Sequence, residues 1–425
     1  MKILVLLIIC FSEVYAQKLS FNSGLNKLLE ESKPIQIKSI EKEIAALKFS
    51  KAYSPFLPKL NFSTVNGLKS TIPSSEDLRY EKPYTSTLNL SLSTNLYNNG
   101  NDLLEFDKKE YEKKLAIKEW ENLKNEEILK YVIQYLKYSY QTELVKIHKS
   151  QQILLTKQYN QIKDKYERGI KPYKDFLRVK TDLMRETVTG QELDRTLEEI
   201  KKDLKLLVGV DNEDFVPLEI KKSLILKYPN LKIDKGDLRK EIINLKNNIN
   251  NYQVKLSENK IGPELTLNSG VDYNINNYIK KSASLNQLDK TEWNVLLTLK
   301  INLWDNFESA NEKKIIYAER NKFIKEQEQN NNEYEMKIER NLSKMEQAKT
   351  NFELNEKLLT LEIENFNSVE KEFYNGKMSY LDYTSALKDL QKTKSSYTQT
   401  YYDLLESMSN YYFYKDKIYE FVKDI

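Results

Sequence analysis

The chain has 425 residues, of which 31% are charged and 40% hydrophobic, so it reads as neither a helical membrane bundle nor a disordered polymer, but as two or three domains or one very elongated fold. Only 10 Gly and 9 Pro interrupt it, which favours long helices over a loop-rich fold. One His (His148) and one Cys (Cys10) argue against imidazole acid–base chemistry, thiol catalysis, zinc sites and disulfide scaffolds, and 67 basic against 63 acidic residues, net +4, give no case for nucleic acid.

The amino terminus reads as a secretory signal peptide, residues 1–16. Met1-Lys2 precedes an apolar run from Ile3 to Phe11, and Val14-Tyr15-Ala16 fits cleavage before Gln17. Removing it leaves a chain without cysteine. No later run approaches the ~20 apolar residues of a spanning helix.

A first repeat follows, residues 17–208. Leu19–Ser50 has a helical pattern. Two strands come next, at about 54–66 and 85–97, joined by a polar loop over 69–83. Leu60 and Phe62 alternate with polar neighbours after Pro58, and Leu88, Leu90 and Leu92 alternate with Asn89, Ser91 and Ser93. Asn101–Glu167 then runs for 67 residues without Gly or Pro, about 100 Å of helix. Its Leu129, Ile133, Leu136, Tyr140, Leu144 and Ile147 recur at three and four, as in coiled-coil packing. A turn at Gly169 leads to a helix over Tyr173–Val208.

A linker over 209–236, carrying Pro217 and Pro229, breaks the pattern and suits an equatorial belt. A second repeat, 237–412, has the same plan. Leu238–Lys260 is helical. Strands are expected at about 262–274 and 292–304, with a polar loop over 274–290. Leu265, Leu267, Val271 and Tyr273 follow Pro263. Trp293, Val295, Leu297, Leu299, Ile301 and Leu303 alternate with Asn294, Leu296, Thr298, Lys300 and Asn302. Phe307–Glu372 is again unbroken, a turn at Gly376 follows, and a helix covers Ser379–Tyr412 before a tail over 413–425.

The duplication has a constant offset. Gly169 and Gly376, Tyr173 and Tyr380, Asp175 and Asp382, and Asp182 and Asp389 are each 207 residues apart. Leu96-Tyr97-Asn98-Asn99 and Leu303-Trp304-Asp305-Asn306 keep that offset, and Pro58 and Pro263 are 205 apart. The strands are long enough to cross a bilayer at a tilt, which takes about 9–11 residues. Four strands do not close a barrel, because closed membrane barrels begin at about eight and open edges are not tolerated in lipid. Strands that span would therefore need several chains. Asn89, Ser91, Ser93, Thr298, Lys300 and Asn302 would then line water, with Leu88, Leu90, Leu92, Val295, Leu297, Leu299 and Ile301 toward lipid. The alternative is an extracytoplasmic coiled-coil structural or adhesive protein that never inserts.

The leader, the duplicated strand-strand-helix plan, the Pro opening each strand pair, the Leu-Tyr-Asn-Asn and Leu-Trp-Asp-Asn strand exits and the Tyr-x-x-Gly and Phe-Tyr-Asn-Gly turns followed by Asp resemble the TolC-type outer-membrane efflux and secretion channels. The resemblance covers essentially the whole mature chain, and the ordered duplication is its most specific part. It implies a mainly α protomer with a small β part, forming a homotrimer with a transmembrane β-barrel continued by an α-helical periplasmic barrel. It also implies a periplasmic adaptor docking at the turns of Gly169 and Gly376, and through it an inner-membrane RND or ABC transporter.

Such a duct needs no enzyme chemistry, cofactor or metal. Asp382 and Asp175, each six residues past the Gly, have two readings. Copies of one Asp around an axis would form an acidic ring that favours cations, and the resemblance places Asp382 at the entrance constriction. An Asp there is equally a helix cap, the preferred reading for Asp175. Met378, where a basic residue is expected, and Ser385, where a second Asp occurs in the family, depart from the pattern. His148 and the acid pairs Glu126-Glu127 and Glu198-Glu199 read as solvated helix faces, and most of the 29 Tyr as helix packing.

Overall fold

The structure, a computed structural model, describes residues 18–68, 84–211, 213–218, 238–277 and 289–424. The expected leader, the interiors of both strand-connecting loops and most of the linker lie outside the described residues. Two compact units divide the chain, and each repeat contributes to both. One, the helical unit, holds the chain up to Ser39, Trp120–Arg239 and Asn330–Ile425. The other, the sheet unit, holds Ile40–Glu119 and Lys240–Gln329.

The elements in chain order are β1 (Lys18–Leu19), α1 (Phe21–Glu31), α2 (Lys33–Lys51), a 3-10 turn (Ser54–Phe56), β2 (Lys59–Leu68), β3 (Tyr84–Asn98), α3 (Asn101–Glu167), α4 (Tyr173–Val208), β4 (Asp214–Phe215), α5 (Leu238–Glu258), β5 (Pro263–Asn277), β6 (Asp289–Ile301), α6 (Glu308–Tyr374), α7 (Tyr380–Tyr414) and α8 (Ile418–Asp424). The unbroken segments form the two longest helices, α3 and α6, of 67 residues each.

Four expectations need correction. The single helix over 19–50 is two, parted at Ser32, because Pro34 lacks the N–H that a continuous helix would use. The strand expected from 54 starts at Lys59, since Ser54–Phe56 turns with Pro at its start. The strand expected to reach 304 spans Asp289–Ile301, so Asn302 falls just beyond it. Past it, the Asp305 carboxylate accepts the Ser309 N–H at 2.9 Å and starts α6. The tail over 413–425 is not loose. It forms α8, whose Ile418, Phe421 and Val422 are buried with Tyr412.

The helical unit owns the core. Tyr131, Tyr135 and Tyr138 stand at i, i+4 and i+7 on α3 and are buried with Phe21, Leu204, Phe352 and Leu404. Buried phenols need partners, and here the backbone supplies them. Tyr131 Oη donates to Phe21 O and Tyr138 Oη to Phe215 O, both at 2.7 Å, and Tyr135 Oη donates to Val216 O. Burial raises the hydroxyl pKa of Tyr131 and Tyr135, so both stay neutral donors. The parallel β1–β4 pair seals this end of the core through Leu19 and Phe215.

Candidate functional site

The sheet unit carries the polar and apolar alternation. Its four strands are antiparallel in the order β2-β3-β5-β6, with β2 and β6 as the edges. Directly paired residues share a face. One rung sets Phe62, Leu90, Val271 and Trp293 side by side, and the next sets Leu60, Leu92, Ser269 and Val295. The opposite face carries Asn61, Ser91, Gly270 and Asn294, then Ser63, Asn89, Asp272 and Glu292. The register thus brings Asn89, Ser91, Ser93, Thr298 and Lys300 to one face. It brings Leu88, Leu90, Leu92, Val295, Leu297, Leu299 and Ile301 to the other. Leu296 and Val65 are apolar exceptions on the polar face.

The chain leaves the apolar face bare. Trp293 is 77% exposed, Phe62 69% and Leu297 63%. The polar face has its own bonds. Asn89 Nδ2 donates to Asp272 Oδ1 at 2.6 Å, and Lys300 pairs with Glu264 at 3.7 Å.

The two repeats are pinned together where strands become helices. Asn99, at a left-handed φ of 49°, donates its amide to Asn259 O at 2.8 Å and to Ile261 O at 3.3 Å. Gly262 leaves room for it, since a Cβ there would come within 2.0 Å of the Asn99 side chain. In the sequence Asn99 belongs to a strand exit, and the Asn-Asn-Gly run at 98–100 is the signal of a turn there.

The hairpin turns lie in the helical unit. Gly169 and Gly376 have φ values of 72° and 76°, and a Cβ on either would meet nothing within 4 Å. Ile170 N–H donates back to Lys165 O at 2.8 Å and Lys377 N–H to Glu372 O at 2.9 Å, the closing bonds of a left-handed helix terminus. Around the first turn Tyr166 stacks on Phe176 at 5.1 Å, with Tyr173 and Tyr159 beside them.

The acids past the turns differ in their bonds. Ser379 Oγ accepts the Asp382 N–H at 3.2 Å, and Asp382 Oδ2 lies 2.6 Å from that hydroxyl, a reciprocal cap at the start of α7. Asp382 nevertheless stays exposed. Asp175 pairs with Lys171 at 3.7 Å in the first turn of α4. The first turn of α4, which follows Pro172, has no side-chain cap, so the cap reading is not realised at Asp175; at α7 the cap is Ser379, and Asp382 accepts from its hydroxyl.

Behind the turns, polar side chains join the repeats. Asp182, buried, accepts from Lys388 Nζ at 2.9 Å. His148 is not a solvated face residue. Its Nδ1 lies 2.7 Å from Glu186 Oε1 and 2.9 Å from Gln391 Nε2. Glu127 is likewise buried, paired with Lys130 at 2.7 Å. Helical periodicity places these residues on a helix but does not say which neighbouring helix covers them.

No family model and no curated protein matches the chain. Its fold matches solved outer-membrane channels. The chain superposes on the Campylobacter jejuni CmeC outer membrane channel with a TM-score of 0.79 at 15% identity, covering 94% of this chain and 86% of that one. It superposes on the Vibrio cholerae outer membrane protein VceC with a TM-score of 0.75 at 10% identity, covering 93% and 96%. The open state of the Neisseria gonorrhoeae MtrE outer membrane channel gives 0.74 at 13% identity, covering 94% and 89%.

Proposed function

We propose that this chain, whose fold is that of the TolC-type outer-membrane channels, is a passive exit duct in which three copies close one pore across the outer membrane. The carrying observation is the sheet. Its apolar face is uncovered, and β2 and β6 each pair on one side only among the described residues. In lipid such edges must be satisfied, and copies of the same sheet can do so.

The adjoining helices are open in the same sense. In the second repeat α5 packs on α3. Tyr252 lies against Tyr111 at 5.5 Å and Glu241 pairs with Lys118 at 2.9 Å, and Leu245 and Ile249 on that helix are half-buried. Their counterparts 205 residues earlier, Ile40, Ile44 and Leu47 on α2, are exposed. A second copy would cover them as α3 covers α5.

Three copies make twelve strands, enough to leave a lumen. Asn89, Ser91, Ser93, Thr298 and Lys300 then face water, and Leu88, Leu90, Leu92, Val295, Leu297, Leu299 and Ile301 face lipid. Asn302, past the strand, lies at the rim. The helices form the periplasmic α-barrel. The turns at Gly169 and Gly376 receive a periplasmic adaptor, which couples the duct to an inner-membrane RND or ABC transporter in a tripartite efflux or type I secretion assembly. Exposed Asp382, held by Ser379, supplies the acidic ring at the constriction, and Asp175, paired with Lys171, stands at the matching place past the first turn. Transport through a duct uses no catalytic group, so pore shape and charge set what passes.

The test is conductance. Purified protein in a planar bilayer should give discrete, cation-preferring channels, and an outer-membrane fraction should yield an oligomer on an unheated denaturing gel. A protein found only as a soluble monomer would contradict this reading.

A further inference from the structure

Within the helical unit, the two repeats share a frame but fill it differently. Where α7 ends, Lys417 N–H donates to Tyr412 O at 2.8 Å. Where α4 ends, 207 positions earlier, Val210 N–H donates to Lys205 O at 3.0 Å. Each bond closes over a residue of left-handed φ, Asp416 at 59° and Gly209 at 83°. Beside the second of these helix ends, in the later repeat, Arg239 opens α5 with its guanidinium carbon 4.1 Å from the centre of the Tyr334 ring, a cation–π contact. Tyr334 Oη donates in turn to Tyr414 O. In the first repeat Pro34 stands 205 positions before Arg239, and Glu127 stands 207 positions before Tyr334. The cation and the ring are exchanged for a proline and a carboxylate, while the frame is kept.

That exchange leaves a groove of about 960 Å³ between the α1–α2 break, α3 and the end of α4, a volume suited to a small molecule. Pro34, Ile133, Leu206 and Leu207 give it apolar walls. Two buried polar groups line it as well. Glu127 is 2% exposed, and the Lys130 that pairs with it is 60% exposed on a flexible stem. Ser32 is 3% exposed, and its Oγ has no hydrogen-bond partner among the described residues. A buried hydroxyl in that condition calls for a partner. Three carboxylates, Glu31, Glu127 and Asp203, face two ammoniums, Lys33 and Lys130, so the groove is one charge negative. Glu31 and Asp203 make no ion pair among the described residues.

We propose that this groove binds a small alkylguanidinium cation, its head on Glu127 and Ser32 and its stem along Ile133 and Leu207. The planar head takes the Glu127 carboxylate from Lys130 through two parallel N–H bonds, a pairing that a single ammonium cannot match. A further N–H donates to Ser32 Oγ, and Lys130 turns to solvent. Glu31 and Asp203 add attraction for a cation. The class of ligand follows from repetition within the chain, because the second repeat supplies such a group itself, the guanidinium of Arg239 on its alkyl stem, at the matching place. The groove is built from one chain, so the inference does not rest on the channel reading.

The test is calorimetric titration of the full chain, purified in a non-ionic detergent, with n-butylguanidinium. Saturable binding of one cation per chain is expected. Butyltrimethylammonium, which has the charge and the stem but no N–H, should bind about tenfold more weakly or worse. Glu127→Gln keeps the shape of the side chain and should weaken n-butylguanidinium binding by about tenfold or more. Asp203→Asn, at an exposed position, should weaken it by about two- to threefold. Pro34→Arg with Glu127→Tyr rebuilds the pair of the second repeat and should abolish binding while the helical circular dichroism is kept. Absence of saturable binding by the native chain would overturn the proposal. So would equal binding of the two cations, a Glu127→Gln chain that binds as tightly as the native one, or undiminished binding by the folded double variant.

Discussion

The helical unit and the sheet unit solve different problems with the same repeats. In the helical unit aromatic side chains fill a core, and phenols such as those of Tyr131 and Tyr138 find backbone acceptors. In the sheet unit few apolar side chains are buried. Val254 and Ile316 are, but Phe62, Trp293 and Leu297 stand open. The contrast separates residues that fold the chain from residues that the proposed channel would set against lipid or another copy. Apolar exposure on this scale is a liability for a free protein and an asset for one completed by its surroundings.

Three substitutions test that contrast. The largest loss is expected inside the helical unit. Phe352 is fully buried between Tyr397 and Tyr401, so Phe352→Ala should cost about 3–5 kcal/mol, read by denaturant unfolding. In the sheet unit Leu297→Arg should leave the isolated fold unharmed, because the side chain is exposed there, yet lower membrane insertion by about 2–4 kcal/mol. Helical-unit unfolding that responded to Leu297→Arg as it does to Phe352→Ala would break the distinction.

The smallest effect should appear at the surface of the helical unit. Asp214 accepts from Lys201 at 3.0 Å, which holds its carboxyl below the ordinary range while it remains partly exposed. A lowered folded value means that the stability is present above the unfolded carboxylate value and is lost as pH falls through the folded one. Asp214→Asn should therefore cost about 0.2–1 kcal/mol near neutrality, with the gap to the native chain closing below about pH 4. A gap that widened on acidification would contradict the pairing.

Much of the fold was legible in one dimension because both periods are strong. The alternation of Leu88 to Ser93 located β3, and the unbroken stretch from Asn101 gave the limits of α3. The errors fall where a local break or a distant partner decides. Pro34 divides the first helix, and Asp305 ends β6 early by capping α6. Nothing near His148 in the sequence announces Glu186 or Gln391, the latter 243 residues away. Asp382 could be placed by its offset, but its bond to Ser379 needed coordinates. The face of each strand followed from parity alone; what covers that face depends on molecules beyond one chain.

The most direct test is a map of the detergent-purified assembly at a resolution that traces strands. The account predicts three copies around one axis, with β6 of each beside β2 of the next and the polar face turned inward. A particle of one copy whose β2 and β6 pair with each other, or whose leucine face is packed under its own helices, would contradict it.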